Sequence, residues 1–230
     1  MNVAIIPARG GSKRIPKKNI KLFHGKPIIA YSIELALQSG IFDLVIVSTD
    51  CDEIAEVSRQ YGAEVPFRRP EALSNDYAGT VPVLCHAEEW LLSAGYNIEK
   101  LCCIYPTSPL LTAAYLIEGA EVINKQLEFN IAFSAVKYSY PVQRSFYRSD
   151  IGSVKMLWPE CYQARSQDLP SVYHDTGQFY WWRSKTLTED SILFGEHSYA
   201  VELPEIQVQD IDTEQDWLLA EQKYKFFKYG

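Results

Sequence analysis

Two groups of residues have the types and spacing for chemistry on phosphate. The first is A-R-G-G-S-K-R-I-P-K-K-N, residues 8 to 19, where Arg9, Lys13, Arg14, Lys17 and Lys18 surround Gly10, Gly11 and Ser12. Six cations fall between residues 9 and 21 with no acid among them. Glycine lets backbone N–H groups approach a ligand, serine adds a hydroxyl, and Arg and Lys neutralise phosphate oxygens. The run is neither a G-x-x-x-x-G-K-[ST] loop nor a G-x-G-x-x-G turn. The second group is Asp210 and Asp212, in D-I-D-T-E. In extended chain, residues two apart face one side, so both carboxylates would point together while Ile211 packs behind. Such hard oxygen pairs suit Mg²⁺, which also bridges triphosphate oxygens. Asp212 has a second reading, as the cap of the helix implied by T-E-Q-D-W-L-L-A-E.

The basic loop stands out against an acidic chain. Of 230 residues, 22 are Lys or Arg and 29 are Asp or Glu, a net charge of −7. Residues 1–33 hold seven of the cations and no acid, the first acid being Glu34. A local positive field on an acidic body indicates a small polyanionic ligand, and argues against a nucleic-acid surface. Hydrophobic content of 47% and charged content of 22% are those of a globular domain. No apolar run is long enough for a membrane span or a signal segment, so a cytoplasmic location is expected. Five cysteines without a C-x-x-C pair read as reduced thiols, and four histidines without paired spacing argue against zinc.

These groups need a scaffold, and the apolar rhythm supplies one. Strands are expected at 2–7, 44–50, 63–67, 100–110 and 130–140, alternating with helices at 27–40, 52–62, 80–95 and 112–125. Alternation of this kind implies βαβ units and a three-layer α/β/α, Rossmann-like domain with a mostly parallel sheet. Such sheets bind ligands beyond the carboxyl ends of their strands, where the basic loop, S-T-D ending at Asp50 and P-T-S-P-L all fall. Residues 141–175 break the rhythm and read as hairpins or an extended, aromatic-rich arm. The chain then resumes with G-Q-F-Y-W-W and ends in a strand, an acidic turn and an amphipathic helix, all within one domain.

With its order of motifs, the sequence resembles the cytidylyltransferases that activate acidic nonulosonic sugars as CMP-sugars, a nucleotide-diphospho-sugar-transferase-like fold. The segments V-S-T-D, R-R-P-E-A-L-S-N-D-Y-A-G-T, Y-P-T-S-P-L-L, R-S-Q-D-L-P, H-D-T-G-Q-F-Y-W-W and V-Q-D-I-D-T-E-Q-D-W-L-L-A-E occur in the family order. The resemblance implies CTP and a nine-carbon acidic sugar as substrates, Mg²⁺ as cofactor, and a homodimer joined through the arm. It implies that Arg9 and Lys18 hold the triphosphate and stabilise departing charge. Ala8, Gly10, Gly11, Ser12 and Asn19 would attend the nucleotide, Arg69 the cytosine, and Ala78 and Thr80 the base and ribose. Asp210 and Asp212 would hold the metal.

The sugar half is less sharply marked. In a strand, Phe179 and Trp181 face one side and Tyr180 and Trp182 the other, so one pair can line a pocket, or all four can be core. Gln178 can donate to a sugar hydroxyl or acylamido oxygen, and Arg165 and Gln167 are candidates for the sugar carboxylate, with His174 nearby. The sialic acid branch usually has glutamine where this chain has Tyr105, arginine where it has Leu111, and N-G-[AS]-[IF]-Y where it has T-G-Q-F-Y. These departures incline the resemblance toward the branch that activates pseudaminic acid, a less hydroxylated sugar, over N-acetylneuraminate or legionaminate.

Overall fold

The computed structural model describes residues 1–188 and 190–229. In chain order the strands and helices are β1 (Asn2–Pro7), β2 (Leu22–Phe23), β3 (Lys26–Pro27), α1 (Ile28–Ser39), β4 (Leu44–Ser48), α2 (Asp52–Gln60), α3 (Thr80–Ser93), β5 (Lys100–Ile104), α4 (Ala113–Lys125), β6 (Ile131–Lys137), β7 (Phe146–Arg148), β8 (Val154–Met156), β9 (Tyr173–Arg183), β10 (Ser198–Glu202) and α5 (Glu214–Tyr229). Six strands form one sheet in the order β10-β6-β9-β5-β1-β4. Pairings of β1 with β4, β1 with β5, and β10 with β6 are parallel, whereas β9 runs antiparallel between β5 and β6.

The period of two in the apolar strands decides which layer each side chain enters. Ala4 and Ile6 of β1, Val45 and Val47 of β4, Cys102 and Ile104 of β5, and Phe179 and Trp181 of β9 pack under α1, α2 and α4. Val3, Ile5, Ile46, Leu101, Cys103, Tyr180 and Trp182 meet α3 on the other face. The sheet is thus covered on both sides, as a mixed α/β fold requires. All four aromatics of F-Y-W-W are buried. The indole of Trp181 donates to the Leu116 carbonyl at 3.0 Å, and that of Trp182 to the buried carboxylate of Glu88, also at 3.0 Å. A third cluster, Ile15, Phe23, Ile28, Ile211, Trp217 and Ala220, fastens the basic loop and α5 together.

Two expected strands are absent. Residues 63–67 touch β4 only at isolated bridges, Ile46 to Glu64 and Thr49 to Arg68, because Pro66 cannot donate to a ladder. The segment before α5 begins as a short helical turn at Glu205–Gln207 and then runs extended without a strand partner. Between β6 and β9 the arm forms the β7–β8 hairpin, with Phe146, Tyr147 and Val154 exposed. Among the described residues no helix is long and apolar enough to cross a membrane.

Candidate active site

Because β9 is antiparallel to its neighbours, its first residues lie at the sheet edge where β1, β5 and β6 end. Two cavities open along that edge. The first, about 490 Å³, is lined by Arg9, Ser12, Lys13, Arg14, Lys18, Asn19 and Arg69 together with Asp76, Ala78, Thr80, Tyr105, Thr107 and Asp212. Five cations there face two carboxylates. The second, about 330 Å³, is lined by Ser108, Asp175, Thr176, Gly177, Gln178, Tyr180, Gln209 and Asp210. The two share Lys18, Tyr105, Thr107 and Asp212.

The loop after β1 is held from several sides. Buried Asn19 donates its side-chain amide to the Arg9 carbonyl at 3.0 Å, closing the loop on itself. The backbone N–H of Gly10 donates to Asp50 Oδ1 at 2.8 Å, which assigns Asp50 to loop support. A Cβ at Gly10 would lie 2.9 Å from that of Cys51, so this glycine permits contact with the protein. Neither Gly10 nor Gly11 lines the cavity, nor does Ala8, which is buried and hydrogen-bonded through its N–H to the Ser48 carbonyl. The expected backbone cradle is therefore carried mainly by side chains.

Every cation of the loop at this mouth has an acidic neighbour. Arg9 donates to Asp76 at 2.7 Å and Lys13 to the other oxygen of Asp76 at 2.5 Å. These two bonds hold the Asp76 carboxyl below the usual aspartate range. Arg14 pairs with Asp212 at 2.8 Å. Lys18 donates to the Ile211 carbonyl at 2.7 Å and lies 3.4 Å from Asp212, tying the basic loop to the acidic segment across 193 residues of chain. Arg69 is buried, bonded to the hydroxyl and carbonyl of Ser48, and burial lowers its pKa to about 10, so it stays charged at neutral pH.

Asp212 does not cap α5. That helix is capped by Thr213, whose hydroxyl accepts from the Asp216 N–H while Asp216 accepts from the Thr213 N–H at 2.8 Å, a reciprocal capping box. Asp212 is thereby left for the cavity, with Ile211 buried behind it as the alternation requires. Partial desolvation, and then the charge of Asp212, push the Asp210 carboxyl above its usual range. Two mutually repelling hard-oxygen donors beside a cavity lined by five cations fit Mg²⁺. Among the described residues there is no set of three acidic, His or Cys ligands, and Mg²⁺ characteristically completes its shell with water and phosphate oxygens.

The wall between the cavities is Tyr105, whose hydroxyl bonds that of Thr80 and whose ring lies 6.0 Å from that of Tyr180. Beyond it, β9 bulges: Phe133 pairs with Tyr180 and Ala135 with Asp175, leaving four residues of β9 opposite Ser134. Gly177, at φ 60°, makes this turn possible. His174 lies just outside, against Tyr138 and bordering a further groove that shares Gln209 and Asp210 with the second cavity. Arg165 and Gln167 are exposed on the arm, where Arg165 pairs with Asp168 at 2.7 Å, and neither lines the two cavities described above. Asp76 and Asp175 fall inside R-R-P-E-A-L-S-N-D-Y-A-G-T and H-D-T-G-Q-F-Y-W-W, but neither is assigned a role by sequence. Asp76 stands in a polar loop, and Asp175 beside a histidine that drew attention first.

The sequence pattern of the cytidylyltransferase family matches residues 3–144. The chain belongs to that family. It is 48% identical over 225 residues, 97% of this chain and 96% of the relative, to a "Pseudaminic acid cytidylyltransferase" of Campylobacter jejuni. To "CMP-N,N'-diacetyllegionaminic acid synthase" of Legionella pneumophila it is 32% identical, over 95% of this chain and 94% of that one. Among solved structures, "CMP:2-keto-3-deoxy-manno-octonic acid synthetase" complexed with CTP superposes with a TM-score of 0.69 over 99% of this chain and 98% of that chain, at 17% identity. The fold is shared at that distance, and the cytidylyltransferase is a nucleotidyltransferase of the same architecture.

Proposed function

We propose that this cytidylyltransferase transfers CMP from CTP to the anomeric hydroxyl of pseudaminic acid, releasing pyrophosphate. The observation that carries the proposal is the pair of joined cavities, one cationic and one polar, with Lys18 and Asp212 at their junction. CTP occupies the first cavity, its triphosphate on Arg9, Ser12, Lys13 and Lys18, its cytidine toward Arg69, Ala78 and Thr80. The sugar occupies the second, between Tyr105, Gln178 and Tyr180. The α-phosphorus then lies at the junction, where the sugar hydroxyl attacks in line and pyrophosphate leaves toward Arg9. Lys18 and Arg9 neutralise the charge that develops, and the chemistry rests on positioning with no covalent protein nucleophile. Asp210 and Asp212 would hold Mg²⁺, which supplies further neutralisation of phosphate charge when bound.

The high identity to relatives named for pseudaminic acid favours that acceptor over N-acetylneuraminate or a legionaminate. Arg165 and Gln167, absent from the lining of both cavities, and the exposed aromatics of the arm support a homodimer in which the arm meets a second copy. We place the enzyme in the cytoplasm, acting on small molecules, with no nucleic-acid or membrane partner. The test is pyrophosphate release from CTP and Mg²⁺ with pseudaminic, legionaminic and N-acetylneuraminic acids in turn. Release with pseudaminic acid alone supports the reading, release with another acid replaces the acceptor, and CTP binding without release from any acid overturns it.

A further inference from the structure

One wall of the second cavity, at the start of β9, carries hydrogen-bond acceptors. Gln178 is only 3% exposed, and its side-chain N–H donates to the Gln207 carbonyl at 2.8 Å, which fixes the orientation of the amide. Its carbonyl oxygen Oε1 is buried and has no hydrogen-bond partner among the described residues. The second N–H of that amide can still donate to a ligand, as expected of Gln178, but Oε1 is the atom that has no partner at all and so most needs one. Three residues earlier, Asp175 lines the same cavity. Its two oxygens accept from the Gly177 N–H at 2.9 Å and the Tyr180 hydroxyl at 2.5 Å, and each retains a second lone pair. The bulge that turns at Gly177 thus brings two acceptors to one wall. A buried acceptor without a donor is costly, whereas one paired with a ligand N–H discriminates strongly against analogues that lack it.

We infer that Gln178 Oε1 and the Asp175 carboxylate accept hydrogen bonds from acylamino N–H groups of the sugar, making the β9 bulge the element that selects an amino sugar. Hydroxyls can turn to donate or accept, but an acyl carbonyl or an ester oxygen only accepts, and either would face these oxygens unfavourably. The inference rests on the proposal that the second cavity holds the sugar.

The experiment compares pseudaminic acid with analogues in which one acetamido group at a time is replaced by an O-acetyl ester, nearly the same shape without the N–H. Pyrophosphate release is followed for the wild type, Gln178→Met and Asp175→Asn, with CTP affinity measured alongside as a control for folding. The wild type is expected to prefer the amide over at least one ester by about tenfold or more in kcat/KM. Each variant should bring that ratio toward one, mainly through KM for the sugar, with CTP affinity unchanged. Asp175 is half-buried, so its variant keeps the test available if Gln178→Met fails to fold. A wild type indifferent to the ester, or variants that slow amide and ester sugars equally, overturns this inference alone. A wild type that releases no pyrophosphate with any nonulosonic acid overturns the sugar-site proposal and this inference with it.

Discussion

At the scale of single residues, Asp76 clasps Arg9 and Lys13 together, where the proposed reading puts the triphosphate. On that reading CTP binding would be an exchange of one anion for another. Asp76→Asn should lower the Kd for CTP several-fold in calorimetry at low salt, and weaker binding would show that Asp76 serves the nucleotide. Because those cations depress its pKa, the clasp is at full strength above the ordinary aspartate value of about 3.9 and is lost only as pH falls further. Lys18 is placed differently, at the junction of the cavities and on the Ile211 carbonyl. Lys18→Ala should reduce the rate of pyrophosphate release by about 10²-fold or more while changing CTP affinity far less, as fits a group that meets developing charge. The sequence marked Arg9 and Lys18 as part of a cationic cluster without counter-charge, left Asp212 between a metal ligand and a helix cap, and pointed to Arg69 only through the family resemblance. Asp76 and Asp175 lie inside the family's motifs, yet a lone acid has no assignable role until the fold brings a partner to it.

At the scale of elements, periodicity named most strands and helices but gave no directions. That β9 runs antiparallel is invisible in H-D-T-G-Q-F-Y-W-W, yet it delivers Asp175 and Gln178 to the edge where the second cavity opens. The expected strand at 63–67 failed on a visible signal, Pro66, to which the apolar rhythm was given too little resistance. Packing of α4 on β9 allows no tolerance: a Cβ at Gly119 would come within 2.8 Å of the Trp181 ring and 3.2 Å of Phe179. Gly119→Ala should destabilise by about 1–3 kcal/mol, the usual cost of overpacking a core. Thermal unfolding would register that as a fall in Tm of several degrees, with KM for CTP unaltered in the folded enzyme. Gly177→Ala makes the contrasting case, because open space surrounds its Cβ and only the positive φ is strained. Its penalty is expected near 1 kcal/mol, accompanied by a raised KM for the sugar.

At the scale of the whole molecule, the arm leaves Tyr140, Phe146, Tyr147 and Tyr162 in solvent, each more than half exposed. If a second copy covers them, Phe146→Glu combined with Tyr147→Glu should halve the mass seen by sedimentation and leave CTP binding in place. An unchanged mass would remove the arm from the interface. The sheet order has a further consequence for how the chain is made. β5 and β6 do not touch; β9 alone joins β4-β1-β5 to β6-β10. During synthesis β9 leaves the ribosome after β4, β1, β5 and β6, and until it does, a three-stranded half-sheet and the lone strand β6 wait with open edges, β10 coming later still. A polypeptide released after residue 172 would keep the whole basic loop and still lack the piece that closes its core, and such edges invite pairing between chains.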